Sequence, residues 1–171
     1  MDLKKMIRDI PDFPSPGIMF RDITTLLKDP KGLAEAVDAI ADSLNNIDFD
    51  IVLGPESRGF IFGVPLAYKL KKGFIPARKV GKLPAETVKA SYALEYGEAE
   101  IEIHRDAITA GCRVVIVDDL LATGGTAKAV ADLLTGLGAK VVAMSFLIEL
   151  APLKGRDLLA GYDNVNSILL Y

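Results

Sequence analysis

Val114-Val115-Ile116-Val117-Asp118-Asp119-Leu120-Leu121-Ala122-Thr123-Gly124-Gly125-Thr126 is the stretch that decides the fold. Four β-branched apolar residues run into two carboxylates. Small, hydroxyl-bearing and glycine residues follow, and then an alanine-rich segment, Ala127 to Leu137, that reads as helix. This is the order of a buried parallel strand, a loop and a helix N-terminus. Backbone N–H groups at such a junction point outward without intrahelical partners, and the helix dipole adds partial positive charge, so a phosphate fits there. Gly124 and Gly125 let the backbone approach an anion, Thr123 and Thr126 offer hydroxyl donors, and Ala122 to Thr126 together form the candidate phosphate cradle.

The two acids give the loop its character. Beside a bare phosphate, Asp118 and Asp119 would only repel the ligand. They make sense if the ligand also carries hydroxyl groups, as a ribose 5-phosphate does: the loop takes the phosphate and the acids accept hydrogen bonds from the sugar. A glycine pair after a strand is by itself an ordinary α/β turn. The paired acids, Thr-Gly-Gly-Thr and the following helix together favour ribose phosphate.

Composition bounds the rest. The chain has 171 residues, enough for one domain with a sizeable core. Half of its residues are hydrophobic, yet no apolar run is long enough to span a bilayer. Met1-Asp2-Leu3-Lys4-Lys5-Met6 lacks the apolar core of a signal peptide, and a single cysteine, Cys112, leaves no intramolecular disulfide. The expected compartment is the cytoplasm, with no membrane partner. A net charge of −3 disfavours nucleic acid as a partner. A polyphosphate substrate would have to be held locally.

Along the chain, residues 2–10 read as a short amphipathic helix stopped by Pro11. The Pro11–Gly17 stretch fits neither helix nor central strand. Asp29-Pro30 places an N-cap beside a proline, opening a helix to about Asn45. Ile51 to Leu53 reads as a buried strand, Arg58 to Leu70 as a helix that Pro65 should kink or delay, and Phe74 to Arg78 as another strand. From Val88 to His104 the pattern has period two around Gly97-Glu98, the mark of a β-hairpin with a polar face of Glu95, Glu98, Glu100 and Glu102. Val114 to Val117 and Val141 to Ile148 are the strongest strands. The expected fold is α/β: a parallel sheet flanked by helices in a single domain over 1–171, with a small N-terminal hood over about 1–28 and the hairpin as a flap. Ligands of such sheets bind beyond the C-terminal strand ends, where Asp118, Gly54-Pro55 and Arg78 converge.

Val114–Thr126 resembles the 5-phosphoribosyl-1-diphosphate (PRPP) signature of the type I phosphoribosyltransferases. Phe13-Pro14-Ser15-Pro16-Gly17-Ile18-Met19-Phe20-Arg21-Asp22-Ile23, Gly54-Pro55-Glu56-Ser57-Arg58-Gly59-Phe60, Arg78-Lys79-Val80-Gly81-Lys82-Leu83-Pro84 and Ser91-Tyr92-Ala93-Leu94-Glu95-Tyr96-Gly97 resemble the adenine branch of that family, in its order. The resemblance runs from about residue 11 to Arg156. It implies a purine-salvage glycosyltransferase that makes AMP and diphosphate from adenine and PRPP, with Mg²⁺ held mainly by PRPP and no dedicated protein ligand. It also implies a homodimer in which Arg78 serves the site of a neighbouring subunit.

Roles follow from the same resemblance. Glu56-Ser57-Arg58, with Arg78, Lys79 and Lys82, would meet the diphosphate. From the residues alone, Glu56-Ser57-Arg58 is equally a helix cap with Ser57 as N-cap, and three cations in five residues are usually a solvated turn. The family also implies a cis peptide between Glu56 and Ser57. Glu95 is the candidate general acid–base residue near purine N7, with Tyr92 and Tyr96 as flap residues around it. Phe20 and Leu150 would sandwich adenine while backbone groups of Met19 and Arg21 read its edge. His104 reads as solvated and Cys112 as inert packing. Two other readings stand: a transferase for hypoxanthine, guanine or xanthine, and a PRPP-sensing regulator without turnover.

Overall fold

The computed structural model describes residues 2–94 and 97–171. The chain forms two compact units, one ending at Ala39 and the other covering Ile40–Tyr171.

The first unit opens with a 3₁₀ turn, Leu3–Met6, and then strand β1, Arg8–Ile10, paired antiparallel with β2, Phe20–Asp22. The helix expected over residues 2–10 is therefore a turn and a strand. Hydrophobic spacing over so short a segment suits either state, and pairing Ile10 with Phe20 selects the extended one. Between the strands, Phe13-Pro14 is cis and Gly17 has φ of +86°. Buried Asp22 holds the unit together. It accepts hydrogen bonds from Arg8 and from the Thr24 backbone and hydroxyl. A short helix α1, Thr24–Leu27, leads to α2, Pro30–Ser43. As expected from Asp29-Pro30, Asp29 Oδ1 caps α2, accepting from the N–H groups of Lys31 and Gly32 at 2.9 and 2.7 Å.

The second unit is built on a seven-stranded sheet in the order β5-β6-β4-β3-β7-β8-β9. Its parallel part comprises β3 (Ile51–Pro55), β4 (Gly73–Lys79), β7 (Arg113–Leu121), β8 (Lys140–Glu149) and β9 (Val165–Leu170). The hairpin forms as expected, from β5, Thr87–Ala93, and β6, Glu98–His104. It is not a separate insert: β6 pairs antiparallel with β4 and extends the main sheet. Glu102, expected on the polar outer face, is buried.

Helix α3, Arg58–Leu70, starts where expected and runs through Pro65; it packs on β3 and β7. Helix α4, Gly125–Gly136, packs on β5, β6 and β8, and the short α5, Gly155–Leu158, lies beside it. The core is the run the sequence marked out: Val114, Val115, Ile116 and Val117 are all fully buried, and Val114 and Ile116 share one cluster with Leu53, Met144 and Phe146. Strand β7 continues past Val117 to Leu121, so both acids stand inside a strand rather than in the loop after it. No helix among the described residues is long and apolar enough to cross a membrane.

Candidate active site

Strand β7 delivers its chain to the Thr123–Thr126 loop, the candidate phosphate cradle. Gly124 is the N-cap of α4 with φ of +86°, a conformation natural to glycine, and the Lys128 N–H donates to its carbonyl at 3.0 Å. Asp118, Ala122, Thr123, Gly124, Gly125 and Thr126 line a cavity of about 140 Å³. Tyr92 of the hairpin lines it too, its ring 3.3 Å from where a Cβ on Gly125 would stand. Beneath the loop runs a contact the sequence did not suggest. A Cβ on Gly124 would lie 2.5 Å from the Gly155 carbonyl oxygen, and one on Gly155 only 2.3 Å from that of Ala122. The Gly155 turn is itself fixed by Arg156, whose Nε donates to both oxygens of buried Glu149 at 2.8 and 2.9 Å.

Adjoining the loop is a second cavity, of about 240 Å³, lined by Glu56, Ser57, Arg58, Lys79, Asp118 and Asp119, and again by Tyr92. The Asp119 N–H donates to Asp118 Oδ1 at 2.8 Å. Burial, with the Asp119 charge next to it, pushes the Asp118 carboxyl well above the ordinary carboxylate range. Burial also raises Asp119, opposed by the Arg58 guanidinium, whose Nε stands 2.8 Å from Asp119 Oδ2. Arg58 is therefore an acid's partner before it meets any ligand, which neither a solvated arginine nor a free diphosphate ligand describes. Gly59 makes this approach possible: a Cβ there would sit 3.1 Å from Asp118 Oδ1 and 2.8 Å from Pro55.

The Glu56–Ser57 peptide is cis, as the family pattern implies. Ser57 precedes α3 but its side chain makes no cap hydrogen bond. The Glu56 side chain is engaged within the protein. Its carboxylate accepts from the Lys79 N–H at 2.5 Å and from Lys82 Nζ at 3.0 Å, and Arg78 stands 3.6 Å away. Burial would raise this carboxyl, but the bonds from Lys82 and Lys79 and the charges of Lys82 and Arg78 outweigh it and hold it lowered. Glu56 gathers the cations, and any contact with an anion falls to its backbone. Arg78 and Lys82 stand around Glu56 and, unlike Lys79, do not line the second cavity. Among the described residues, Arg78 Nε is buried without a hydrogen-bond partner.

Met19, Phe20 and Arg21 belong to the first unit, where Phe20 meets Phe13 edge-on at 5.1 Å and Arg21 pairs with Asp9. Leu150 follows β8, half-buried, its N–H donating to the Leu121 carbonyl. Glu95 and Tyr96 lie outside the described residues. His104 Nε2 accepts from the Ala85 N–H at 3.3 Å, and burial pushes the Cys112 thiol up, so neither shows a reactive setting. The donors around the second cavity are hard carboxylate oxygens, the class Mg²⁺ takes.

Residues 22–165 match the family model described as the phosphoribosyl transferase domain. The chain is 57% identical over 170 residues to the adenine phosphoribosyltransferase of Thermosipho africanus, covering 99% of this chain and all of that one. The crystal structure of adenine phosphoribosyltransferase from Thermoanaerobacter pseudethanolicus superposes with a TM-score of 0.97 at 52% identity, covering 99% and 98% of the two chains. The Saccharomyces cerevisiae enzyme, complexed with an imino-altritol bisphosphate and adenine, superposes with a TM-score of 0.89 at 41% identity, covering 97% and 94%.

Proposed function

This chain belongs to the phosphoribosyltransferase family, and we propose that within it the chain transfers the 5-phosphoribosyl group of PRPP to N9 of adenine, giving AMP and diphosphate. One observation carries the reading. Two adjoining cavities run from the Thr123–Thr126 loop, past the Asp118–Asp119 pair, to Glu56–Arg58 and Lys79. That is the order of 5-phosphate, ribose and diphosphate along one PRPP molecule.

In this reading the loop amides and the Thr123 and Thr126 hydroxyls hold the 5-phosphate. Asp118 and Asp119 accept from the ribose hydroxyls, and Arg58 holds the Asp119 carboxyl in place through its Oδ2. Attack by N9 at C1 expels diphosphate through a transition state with positive charge on the sugar and negative charge on the leaving group. Lys79, Lys82, Arg78 and the amides after Glu56 stabilise the departing charge. Lys82 and Arg78 exchange the Glu56 carboxylate for diphosphate, so the cations are already assembled before substrate arrives. Asp118 and Asp119 are the hard-oxygen residues that would neighbour a substrate-borne Mg²⁺, which would supply charge neutralisation at the leaving group.

Glu95 is the proposed acid–base residue toward N7, Tyr92 and Tyr96 are the proposed flap residues, and Phe20, Leu150, Met19 and Arg21 are the proposed adenine residues. The acid next to Leu150 supports adenine over guanine: Glu149 is buried on Arg156 and offers no free carboxylate to a 2-amino group. A homodimer completes the reading. Its support is Val64 and Tyr68, one turn apart on α3 and both exposed, Tyr68 by 87%. The compartment in this reading is the cytoplasm, a reducing setting that suits one unpaired thiol. The test is direct. Purified chain with PRPP, Mg²⁺ and adenine should yield AMP and diphosphate in equal amounts, and PRPP consumption without AMP would contradict it.

A further inference from the structure

We propose that Glu102 is a positioning residue: its buried carboxylate holds the cation-bearing loop after β4 in the shape that meets diphosphate. Glu102 lines neither cavity of the cleft and is 4% exposed. One carboxylate oxygen, Oε1, accepts from the Gly81 N–H at 3.2 Å and the Leu83 N–H at 3.4 Å. The other, Oε2, accepts from the Thr87 hydroxyl at 3.0 Å. Gly81 has φ of +89° and open space where a Cβ would go, so the glycine serves the turn and not a close contact. A left-handed residue in such a turn points successive N–H groups into one concavity, the form in which backbone binds anions. Here the anion is the protein's own.

The residue between those two amides is Lys82. With the N–H groups on both sides fixed to one oxygen, its side chain is directed to Glu56, 3.0 Å away. Glu56 also takes the Lys79 N–H. The loop is thus pinned by two acids from different strands, Glu56 at the tip of β3 and Glu102 on β6. Only Glu56 is released when diphosphate takes the cations; Glu102 has no reason to let go. Glu102 also stands opposite both Lys89 of β5 and Arg78 of β4, so the stem of the flap and the cation loop share one anchor.

The inference rests on Lys82 and its neighbours meeting the diphosphate. Its test compares Glu102→Ala and Glu102→Gln with the unmodified enzyme, varying PRPP and adenine separately with Mg²⁺ present and measuring diphosphate inhibition. Losing one charge-assisted set of bonds should raise the PRPP KM and the diphosphate Ki about tenfold in Glu102→Ala. The adenine KM should stay within about twofold, because the loop does not touch the base. Glutamine keeps an oxygen for both amides and should restore PRPP to within about threefold of the unmodified enzyme. Should the alanine variant not fold, Glu102→Asp, too short to reach both amides, replaces it, read by hydrogen exchange at Gly81 and Leu83 beside diphosphate affinity. Faster exchange with weaker diphosphate supports the proposal. Unchanged PRPP and diphosphate constants in a folded variant overturn it, as does an equal loss for adenine. An unmodified enzyme that binds no PRPP instead removes the reading beneath it.

Discussion

Gly124 and Gly155 meet backbone to backbone, with no room for a side chain between them: a Cβ on the first would stand 2.5 Å from the carbonyl oxygen of the second. The Thr123–Thr126 loop is therefore shaped from below by a turn after β8, and the Glu149–Arg156 pair holds that turn in place.

Gly155→Ala should displace the loop, because its Cβ would lie 2.3 Å from the Ala122 carbonyl oxygen, which is backbone and cannot swing aside. Overpacking of this kind costs about 1–3 kcal/mol of stability. The PRPP KM should rise about tenfold or more, with the adenine KM little changed. Gly136→Ala is the control. Nothing lies within 4 Å of its Cβ, and alanine in a helix should be neutral or stabilising by up to about 1 kcal/mol. Thermal melts and steady-state kinetics on the two variants check the contrast.

The acid pair predicts opposite effects on stability and function. Burial raises the Asp118 carboxyl above its unfolded value, so its contribution to stability is fully present below the unfolded pKa, 3.8, and is lost as pH rises through the folded one. Asp118→Asn cannot ionise and escapes that loss. The ligand-free variant should melt about 2–4 °C higher near pH 8, with the gap closing toward pH 4, while PRPP binding weakens. A variant that binds and turns over PRPP at wild-type levels would remove Asp118 from the ribose assignment.

Asp22 carries the opposite sign. The Thr24 N–H and the Arg8 guanidinium lower its pKa from 3.8 to about 2, so its contribution is present above 3.8 and is lost as pH falls toward 2. Asp22→Asn should destabilise the chain at pH 7 and flatten the dependence of the melting temperature between pH 4 and 2. Equal slopes in the two proteins would show that this pair does not tie the N-terminal unit together.

Glu95→Gln and Lys82→Ala should separate proton transfer from charge stabilisation. Glutamine keeps the shape but exchanges no proton, so the single-turnover rate should fall roughly 10²–10⁴-fold with PRPP affinity retained. Lys82→Ala should raise the PRPP KM as well, because its partner is present in both ground and transition states. If Glu95→Gln keeps its chemical step within a few-fold, the glutamate belongs to the lid alone.

What the sequence disclosed was whatever is encoded locally. The β-branched run and glycine loop at Val114–Thr126, the period-two hairpin and the Asp29-Pro30 cap each declare themselves within a few residues, and each is present in the fold. Contacts between distant residues were hidden. Glu102 reads as one more outward glutamate because alternation does not show that β6 joins β4 and turns its carboxylate onto the Gly81 turn. Gly155 has no local reason to be glycine; its reason is the Ala122–Gly124 backbone, remote in sequence, against which it packs. The bonds from Lys79 and Lys82 to the Glu56 carboxylate were hidden too, because these residues, remote in sequence, meet only through the pairing of β3 with β4. The helix expected at residues 2–10 failed because strand pairing, not spacing, decides so short a segment.

The central claim is that this cleft joins PRPP to adenine in preference to other purines, and the ratio of kcat/KM among the bases tests it most directly. With PRPP and Mg²⁺ saturating, adenine should exceed hypoxanthine and guanine by a factor on the order of 10³ or more, because a site built to pair with an exocyclic donor leaves buried polar groups unpaired when an acceptor takes its place. Values for hypoxanthine or guanine within about tenfold of adenine would contradict the account, since so small a ratio is what mere packing of a similar ring supplies.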